Sequence, residues 1–160
     1  MQQASVTILP AHTTDCGRLT EIARAAKAYW GYPSAWLEEW RDILTVSPDL
    51  VDRATVFKAV IDEDVVGFYA LTDDSDTVEL DHMWVEPRAI GRGVGRRLFE
   101  HAVQIARQLG AARIIVESDP NAAEFYEHMG CARVGERHGT VGGSARTLPV
   151  LELALDAMRL

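Results

Sequence analysis

The chain has 160 residues, 48% of them apolar, and a formal net charge of -8 at pH 7. This length and apolar content predict one compact domain over residues 1–160, with a sizeable buried core. The acidic balance argues against a nucleic-acid partner, because phosphates attract basic surfaces, and it suits cationic partners better.

Cysteine usage and apolar runs bear on the compartment. Cys16 and Cys131 occur without a CxxC or a Cys/His cluster, so neither a disulfide framework nor a metal site is predicted. That pattern is typical of a reduced, cytoplasmic setting. The N-terminus lacks the features of a signal peptide, and no apolar run approaches the roughly 18 residues of a membrane span. We therefore expect a cytoplasmic protein without a membrane partner.

The first part of the chain is predicted as a strand followed by two helices. The strand covers residues 5–10, and the first helix covers residues 14–29. The apolar face of that helix comprises Leu19, Ile22, Ala23 and Ala26. An aromatic-rich break around Gly31 and Pro33 leads to the second helix, with Ser34 as its N-cap.

Three β-branched and aromatic runs follow, separated by acidic turn residues. They predict an antiparallel meander with strands at 54–61, 65–71 and 77–86. A glycine-rich turn and a long helix come next, and Gly110 marks the end of that helix.

The last part of the chain is predicted as strand, helix, strand, strand. The three strands lie at 112–118, 131–137 and 148–154. The helix has Asp119 as its N-cap and Gly130 just past its end. Residues 139–149, "GTVGGSARTLP", are predicted as a mobile loop.

The turn before the long helix carries three glycines, Gly91, Gly93 and Gly95. A helix start has free backbone N–H groups and the positive end of the helix dipole, which together hold an anion. Glycines let that anion approach, and nearby arginines add positive charge to an acidic protein. These arginines are Arg88, Arg92, Arg96 and Arg97. The turn therefore favours a phosphate or pyrophosphate ligand, although glycines before a helix also occur as plain tight turns.

A dinucleotide-binding oxidoreductase is one alternative for a glycine-rich turn. Its GxGxxG pattern needs a third glycine where Arg96 or Leu98 stands, and it normally opens a βαβ unit rather than following a meander. Glu117 lies 22 residues past Gly95, where a ribose-binding acid would sit, and it keeps this alternative open.

The order of elements and two motifs resemble the GCN5-related N-acetyltransferase (GNAT) family. "VEPRAIGRGVGRRLF", residues 85–99, is similar to the family's acyl-CoA pyrophosphate loop. "AAEFYEHMGC" is similar to its A-x-x-x-Y-x-x-x-G helix, matched at Ala122, Tyr126 and Gly130. The resemblance implies an α/β (α+β) fold, with a mixed, mostly antiparallel sheet of about seven strands, a splayed parallel pair and four flanking helices.

The resemblance also implies the reaction, which is direct transfer of an acetyl group from acetyl-CoA to a primary amine in a ternary complex. The pantetheine arm would lie between the strands at 77–86 and 112–118, bound by backbone groups of Met83 and Val85. An N–H near Met83 would polarise the thioester carbonyl. The cofactor contacts it implies are Met83, Trp84, Val85, Arg88, Gly91, Arg92, Gly93, Val94, Gly95, Arg96, Asn121 and Phe125.

Two departures from the family pattern leave a catalytically idle acyl-CoA-binding module as a further alternative. Ile90 stands where the family has Gln or Arg, with Arg88 and Arg92 available to compensate. Asn121 stands two residues nearer than the family's asparagine.

Two proton transfers accompany acetyl transfer to an amine. The resemblance makes Tyr126 the acid that protonates the leaving sulfur. Glu79 and His82 are both candidates for the base, and strict alternation puts Glu79 and Asp81 on one face of the strand and His82 on the other. A bulge in the strand would change that assignment.

The acceptor is expected to be a small-molecule amine. The family resemblance places its pocket near Trp30, Tyr32 and Arg146. Net charge favours a cationic amine, whereas Arg146 and the aromatic residues would suit a carboxylate or an apolar group beside the amine. A homodimer is compatible with the resemblance.

Overall fold

The computed structural model describes residues 5–155, within which seven strands and five α-helices follow one another. The strands are β1 Thr7–Pro10, β2 Thr55–Ile61, β3 Asp64–Asp74, β4 Thr77–Val85, β5 Arg113–Glu117, β6 Ala132–Val141 and β7 Ser144–Ala154. The helices are α1 Cys16–Ala28, α2 Ser34–Glu39, α3 Pro48–Arg53, α4 Val94–Gln108 and α5 Ala123–His128. None of the helices in this part of the chain is long and apolar enough to cross a bilayer.

The strands form one mixed sheet in the order β1-β2-β3-β4-β5-β7-β6. Among the strands of residues 5–155, only β4 and β5 run parallel. They pair at three positions: Thr77 with Arg113, Val78 with Ile114 and Glu79 with Ile115. Beyond Glu79 the two strands separate. The predicted seven-stranded, mostly antiparallel sheet with a splayed parallel pair is confirmed.

Apolar side chains cover both faces of the sheet. On one face, Leu19 and Ile22 of α1 are fully buried in a cluster with Phe68 of β3. On the other, Leu98 and Phe99 of α4 are buried in a second cluster. Each such side chain contributes roughly 1.5–3 kcal/mol through burial. The predicted apolar face of α1 is confirmed, because all four of its residues are buried.

The helix predictions need two corrections in the region before β2. The short helix α3 was not predicted, so five helices rather than four accompany the sheet. Its N-cap is Ser47, whose hydroxyl accepts the N–H of Leu50 at 3.1 Å. Ser34, predicted as an N-cap, is instead the first residue of α2, and Pro33 precedes it in extended backbone.

The prediction of a loop at 139–149 is wrong, because β6 and β7 continue through this segment as a long hairpin. Only Gly142 and Gly143 lie outside the strands, with φ of 55° and 76°. Two residues with positive φ match the hairpin turn whose twist suits flanking strands. Because β6 is an edge strand exposed along almost its whole length, it lacks the apolar alternation that marks a strand.

The segment between β5 and α5 also differs from its prediction. The helix begins at Ala123, so Asp119 does not cap it. The Asp119 carboxylate accepts the backbone N–H of Asn121 at 2.8 Å and forms a turn ahead of the helix. Gly130, with φ of 102°, follows the end of α5 as predicted.

Candidate active site

The separation of β4 and β5 opens a cavity of about 720 Å³. One wall is β4, through Met83, Trp84 and Val85. The opposite wall is formed by Val116 at the end of β5 and by Phe125 and Tyr126 of α5. The cavity therefore lies where the family resemblance places the pantetheine arm.

The backbone of β4 turns unpaired amides toward this cavity. The N–H of Glu86 donates to the carbonyl of Val66 at 2.8 Å, so this N–H points toward β3. Successive residues of a strand point their N–H and C=O groups to opposite sides. Met83 and Val85 therefore direct their N–H groups away from β3, into the gap that β5 leaves.

The N-terminus of α4 lies beside the same cavity. Gly93 is its N-cap, with φ of 79°, and Gly91 has φ of 86°. Both values lie in the left-handed region that glycine adopts at little cost. Gly95 lines the cavity, and a Cβ there would stand 3.5 Å from the Phe125 ring. The first N–H groups of α4 have no intrahelical partner and can bind an anion.

The arginines predicted to contact the cosubstrate differ in their availability. Arg92 and Arg96 are exposed beside it. Arg88 is also exposed, but its Nε donates to Glu86 at 2.6 Å. The side chain of Val94 is buried in the core, so only its backbone is available to a ligand. Ile90 lines the cavity with half of its surface exposed.

Tyr126 lies deep in the cavity wall. Its ring packs edge-to-face against Phe99 and Phe125, with centroid separations of 5.8 and 5.2 Å. Only 6% of the residue is exposed. Burial raises the pKa of Tyr126 well above its ordinary value, so its hydroxyl keeps its proton and can act as a donor.

A β-bulge in β4 changes the predicted arrangement of the base candidates. His82 lies opposite Ala70 and Leu80 lies opposite Leu71, so Asp81 is an extra residue in β4. Glu79, opposite Thr72, therefore shares a face with His82. The predicted placement of Glu79 and His82 on opposite faces, which assumed strict alternation along the strand, is therefore wrong.

His82 lines the cavity and is held by two aromatic neighbours. Its ring stacks on Phe68 at 5.9 Å, and its Nδ1 accepts the indole N–H of Trp84 at 3.1 Å. Burial lowers the pKa of His82, and the charge of Asp81 opposes this only in part. Because an indole can only donate, the neutral ring carries its proton on Nε2. His82 therefore has no free lone pair in this arrangement.

Glu79 stands just outside the cavity lining, whereas its neighbours Leu80 and Asp81 belong to that lining. Burial raises the pKa of Glu79, and the negative charges of Asp81 and Glu117 raise it further. A carboxylate with a raised pKa is a better proton acceptor near neutral pH than an ordinary one.

A polar cluster at the far wall of the cavity contains Lys27, Tyr32, Asp119, Asn121 and Arg146, all of which except Tyr32 line the cavity. Lys27 Nζ lies 2.6 Å from Asp119 Oδ2, and Arg146 Nη2 lies 3.3 Å from the same oxygen. We call these five residues the Asp119 cluster. It unites Tyr32, Arg146 and Asn121, and it places Asn121 beside Tyr32, with Nδ2 donating to Oη at 3.0 Å.

Trp30 lies on the rim of the cavity rather than in the cluster, and Tyr32 packs behind the lining. Lys27 and the carboxylate of Asp119 were missed as site residues. Lys27 follows Ala23 by four residues and therefore falls on the apolar face of α1. A lysine on an apolar helix face was the sequence signal that could have identified it. Within residues 5–155, no three metal-binding side chains come together.

The geometry disfavours the dinucleotide alternative. That fold builds a parallel sheet from βαβ units, whereas β2, β3 and β4 are antiparallel ahead of the glycine turn. Glu117, the candidate ribose ligand, is 2.5 Å from Arg137 Nε in an ion pair.

Comparisons with known proteins agree with this geometry. Residues 18–131 match the model of the Acetyltransferase (GNAT) family. A peptidyl-lysine N-acetyltransferase, YjaB of Salmonella typhimurium, is 31% identical over 106 residues, which are 66% of this chain and 68% of that protein.

Solved structures share the fold at low identity. The PaiA N-acetyltransferase of Thermoplasma acidophilum, in complex with coenzyme A, superposes with a TM-score of 0.76 at 18% identity, covering 94% of this chain and 99% of that one. The yncA protein of Salmonella typhimurium, with its cofactor acetyl-CoA, gives 0.71 at 23% identity, covering 98% of each chain. The chain belongs to the GNAT family and is an N-acetyltransferase that uses acetyl-CoA as its cosubstrate.

Proposed function

We propose that this enzyme transfers the acetyl group directly from acetyl-CoA to the amine of a small molecule, with both substrates bound in the gap between β4 and β5. The observation that carries this proposal is the gap itself, which has strand amides on one wall and Tyr126 on the other. The amides of Met83 and Val85 and the N-terminus of α4 would hold the cosubstrate.

Direct transfer is favoured over an acetyl-cysteine intermediate by the placement of the two thiols. Neither Cys16 nor Cys131 lines the cavity. Burial raises the pKa of Cys131 to about 11, so it is a thiol rather than a nucleophilic thiolate at neutral pH. In the proposed step, a C–N bond forms as the C–S bond breaks.

Three groups of the chain would assist that step. The Met83 N–H faces the gap and would polarise the carbonyl oxygen as negative charge develops on it. Tyr126 would donate its hydroxyl proton to the leaving sulfur. Glu79 would take the proton from the amine through water, because it stands beside the lining with a raised pKa.

The two base candidates give different pH profiles. In wild type, kcat/KM should rise with pH as Glu79 ionises, at a pKa above 4.5, and then level off. The Glu79→Gln enzyme needs an amine that is already neutral, so its kcat/KM should be about 10²-fold lower near pH 7 and should keep rising toward the amine pKa of about 10.

The matched comparison is His82→Gln, because the glutamine side-chain carbonyl can still accept the hydrogen bond from the indole N–H of Trp84. It should keep the wild-type shape of the profile. If His82→Gln shows the continuous rise and Glu79→Gln does not, His82 is the base and this assignment is wrong.

The proposed function itself is tested by thiol release with a panel of amines, including a lysine peptide because the curated relative is named a peptidyl-lysine N-acetyltransferase. We expect a small amine to be acetylated faster than the peptide, with initial-velocity lines that intersect when both substrates are varied. Parallel lines would contradict direct transfer. Acetyl-CoA binding without any acetylated product would support the idle module instead.

A further inference from the structure

The charges that line the cavity bear on the identity of the acceptor. In the Asp119 cluster, two cations, Lys27 and Arg146, share one carboxylate. Burial and the charge of Arg146 lower the pKa of Lys27, and the hydrogen bond and charge of Asp119 oppose that shift in part. Lys27 Nζ also lies 4.4 Å from the centre of the Trp40 ring, a contact that favours the charged form. The cluster thus carries one positive charge in excess.

The carboxylate of this cluster is already saturated. Oδ1 of Asp119 accepts the backbone N–H of Asn121 at 2.8 Å and its side-chain amide at 3.0 Å. Oδ2 accepts Lys27 Nζ at 2.6 Å and Arg146 Nη2 at 3.3 Å. The Tyr32 hydroxyl donates to it as well, at 2.8 Å. No acceptor capacity remains on Asp119 to bind a cationic substrate.

Arg146, in contrast, retains donors. Its Nη2 donates to Tyr32 Oη at 2.8 Å as well as to Asp119. Among the described residues, Nε and Nη1 of Arg146 have no hydrogen-bond acceptor. The guanidinium lies 4.6 Å from the Trp40 ring centre and 5.1 Å from that of Tyr32, which fixes its orientation. A fixed guanidinium with free N–H groups is suited to a carboxylate.

The other charged residues of the cavity lining have partners outside the cluster or are exposed. Glu117 is paired with Arg137, and Arg53 with Asp49. Asp81 is exposed and accepts the hydroxyl of Thr72 at 2.8 Å. Asp81 and Glu79 place negative charge at the β4 side of the cavity, whereas at the far wall the excess positive charge at Arg146 is the local charge that an acceptor would meet.

The mouth of the cavity is apolar. Besides Ile90 at the glycine turn, three large residues of its lining are exposed: Tyr29 by 55%, Trp30 by 43% and Ile43 by 68%. An acceptor that covers them would bury apolar surface, which favours binding by about 25 cal/mol per Å².

We propose that the acceptor is an apolar or aromatic amino acid, or a close analogue, whose carboxylate binds Arg146 and whose side chain packs against Tyr29, Trp30 and Ile43. This inference rests on the proposed function and specifies its substrate class. This amino-acid acceptor replaces the cationic amine that the net charge of the chain suggested. The local groups decide, because the carboxylate of Asp119 has no free acceptor and Arg146 has free N–H donors.

The experiment compares three acceptors that share the phenethylamine skeleton and differ in the carboxylate: phenylalanine, its amide and phenethylamine. Wild type should acetylate phenylalanine with a kcat/KM at least 10-fold above the other two. The amide has the less basic amine, with a pKa near 8, so more of it is neutral at pH 7. A preference for the free acid over the amide therefore cannot arise from a larger neutral fraction of its amine.

Arg146→Met should raise the KM for phenylalanine by about 10- to 100-fold and change kcat less, because it removes charge-assisted hydrogen bonds. Its kcat/KM for phenethylamine should stay within about threefold of wild type. The matched control is Arg53→Met, another cavity-lining arginine, exposed and paired with Asp49, which should leave all three acceptors unchanged.

The comparison of the three acceptors with the wild-type enzyme tests the carboxylate subsite even if Arg146→Met does not fold. Equal or better turnover of phenethylamine or the amide would overturn the carboxylate subsite and leave acetyl transfer intact. Absence of acetylated product from every amine tested would overturn both proposals. An Arg146→Met enzyme that folds and keeps the wild-type KM for phenylalanine would remove Arg146 from the subsite.

Discussion

Replacing Tyr126 with phenylalanine is expected to lower turnover by about 10²-fold or more, the usual scale for loss of a general acid. The ring is held by Phe99 and Phe125, and phenylalanine fills the same space, so folding should be preserved. Acetyl-CoA affinity should change little, because the proposed donation acts on the sulfur as it leaves. Steady-state kinetics and calorimetry on the same preparation measure both quantities.

Tyr69→Phe is the matched control for Tyr126→Phe. Tyr69 is also fully buried, but its hydroxyl bonds His101 Nδ1 at 2.7 Å and the residue does not line the cavity. Its loss should cost about 1 kcal/mol of stability and leave turnover unchanged. Turnover of Tyr126→Phe within a factor of about two of wild type would assign Tyr126 to packing alone.

Replacing Lys27 with methionine is expected to lower the free energy of unfolding by about 3 kcal/mol. Lys27 and Asp119 form an ion pair in which the side chains are 10% and 7% exposed. Removing one partner of a buried pair leaves the other charge poorly compensated, which typically costs 3–5 kcal/mol. The lower end applies because Arg146 and Tyr32 still bond Asp119.

Urea denaturation gives this quantity, and Arg53→Met again serves as the control. Its ion pair is exposed, so its loss should stay within about 0.5 kcal/mol. In an Asp119→Asn background, Lys27→Met should cost at least about 1 kcal/mol less than in wild type. If Lys27→Met is no more destabilising than Arg53→Met, the Asp119 cluster is not a source of stability.

The sheet and the position of the glycine turn beside the gap between β4 and β5 could be predicted because their signals are local. The β-branched meander, the glycine turn and the Tyr126 helix each show in a few consecutive residues. The orientation of the Met83 and Val85 amides follows once β4 is known to pair with β3 on one side only.

The Asp119 cluster could be predicted only in part. The resemblance named Tyr32, Asn121 and Arg146, but the cluster as a whole forms only in the fold. Lys27 and Asp119 are 92 positions apart, and their pairing depends on how α1 packs near the end of β5. The bulge at Asp81 is likewise a property of the register between β3 and β4, and nothing in the β4 sequence alone reveals it. That bulge decides which face Glu79 occupies.

The most direct test of the central claim is an amide NMR titration with acetyl-CoA, resolved by residue. Binding should shift the amides of Met83 and Val85 and those of the first turn of α4, and leave the outer strand β6 unchanged. Gly93→Glu, which adds a negative side chain at the N-cap of α4, should require at least 10-fold more acetyl-CoA for the same shifts. Saturable shifts confined to other surfaces, or an unchanged affinity in Gly93→Glu, would contradict the placement of the cosubstrate in the gap between β4 and β5.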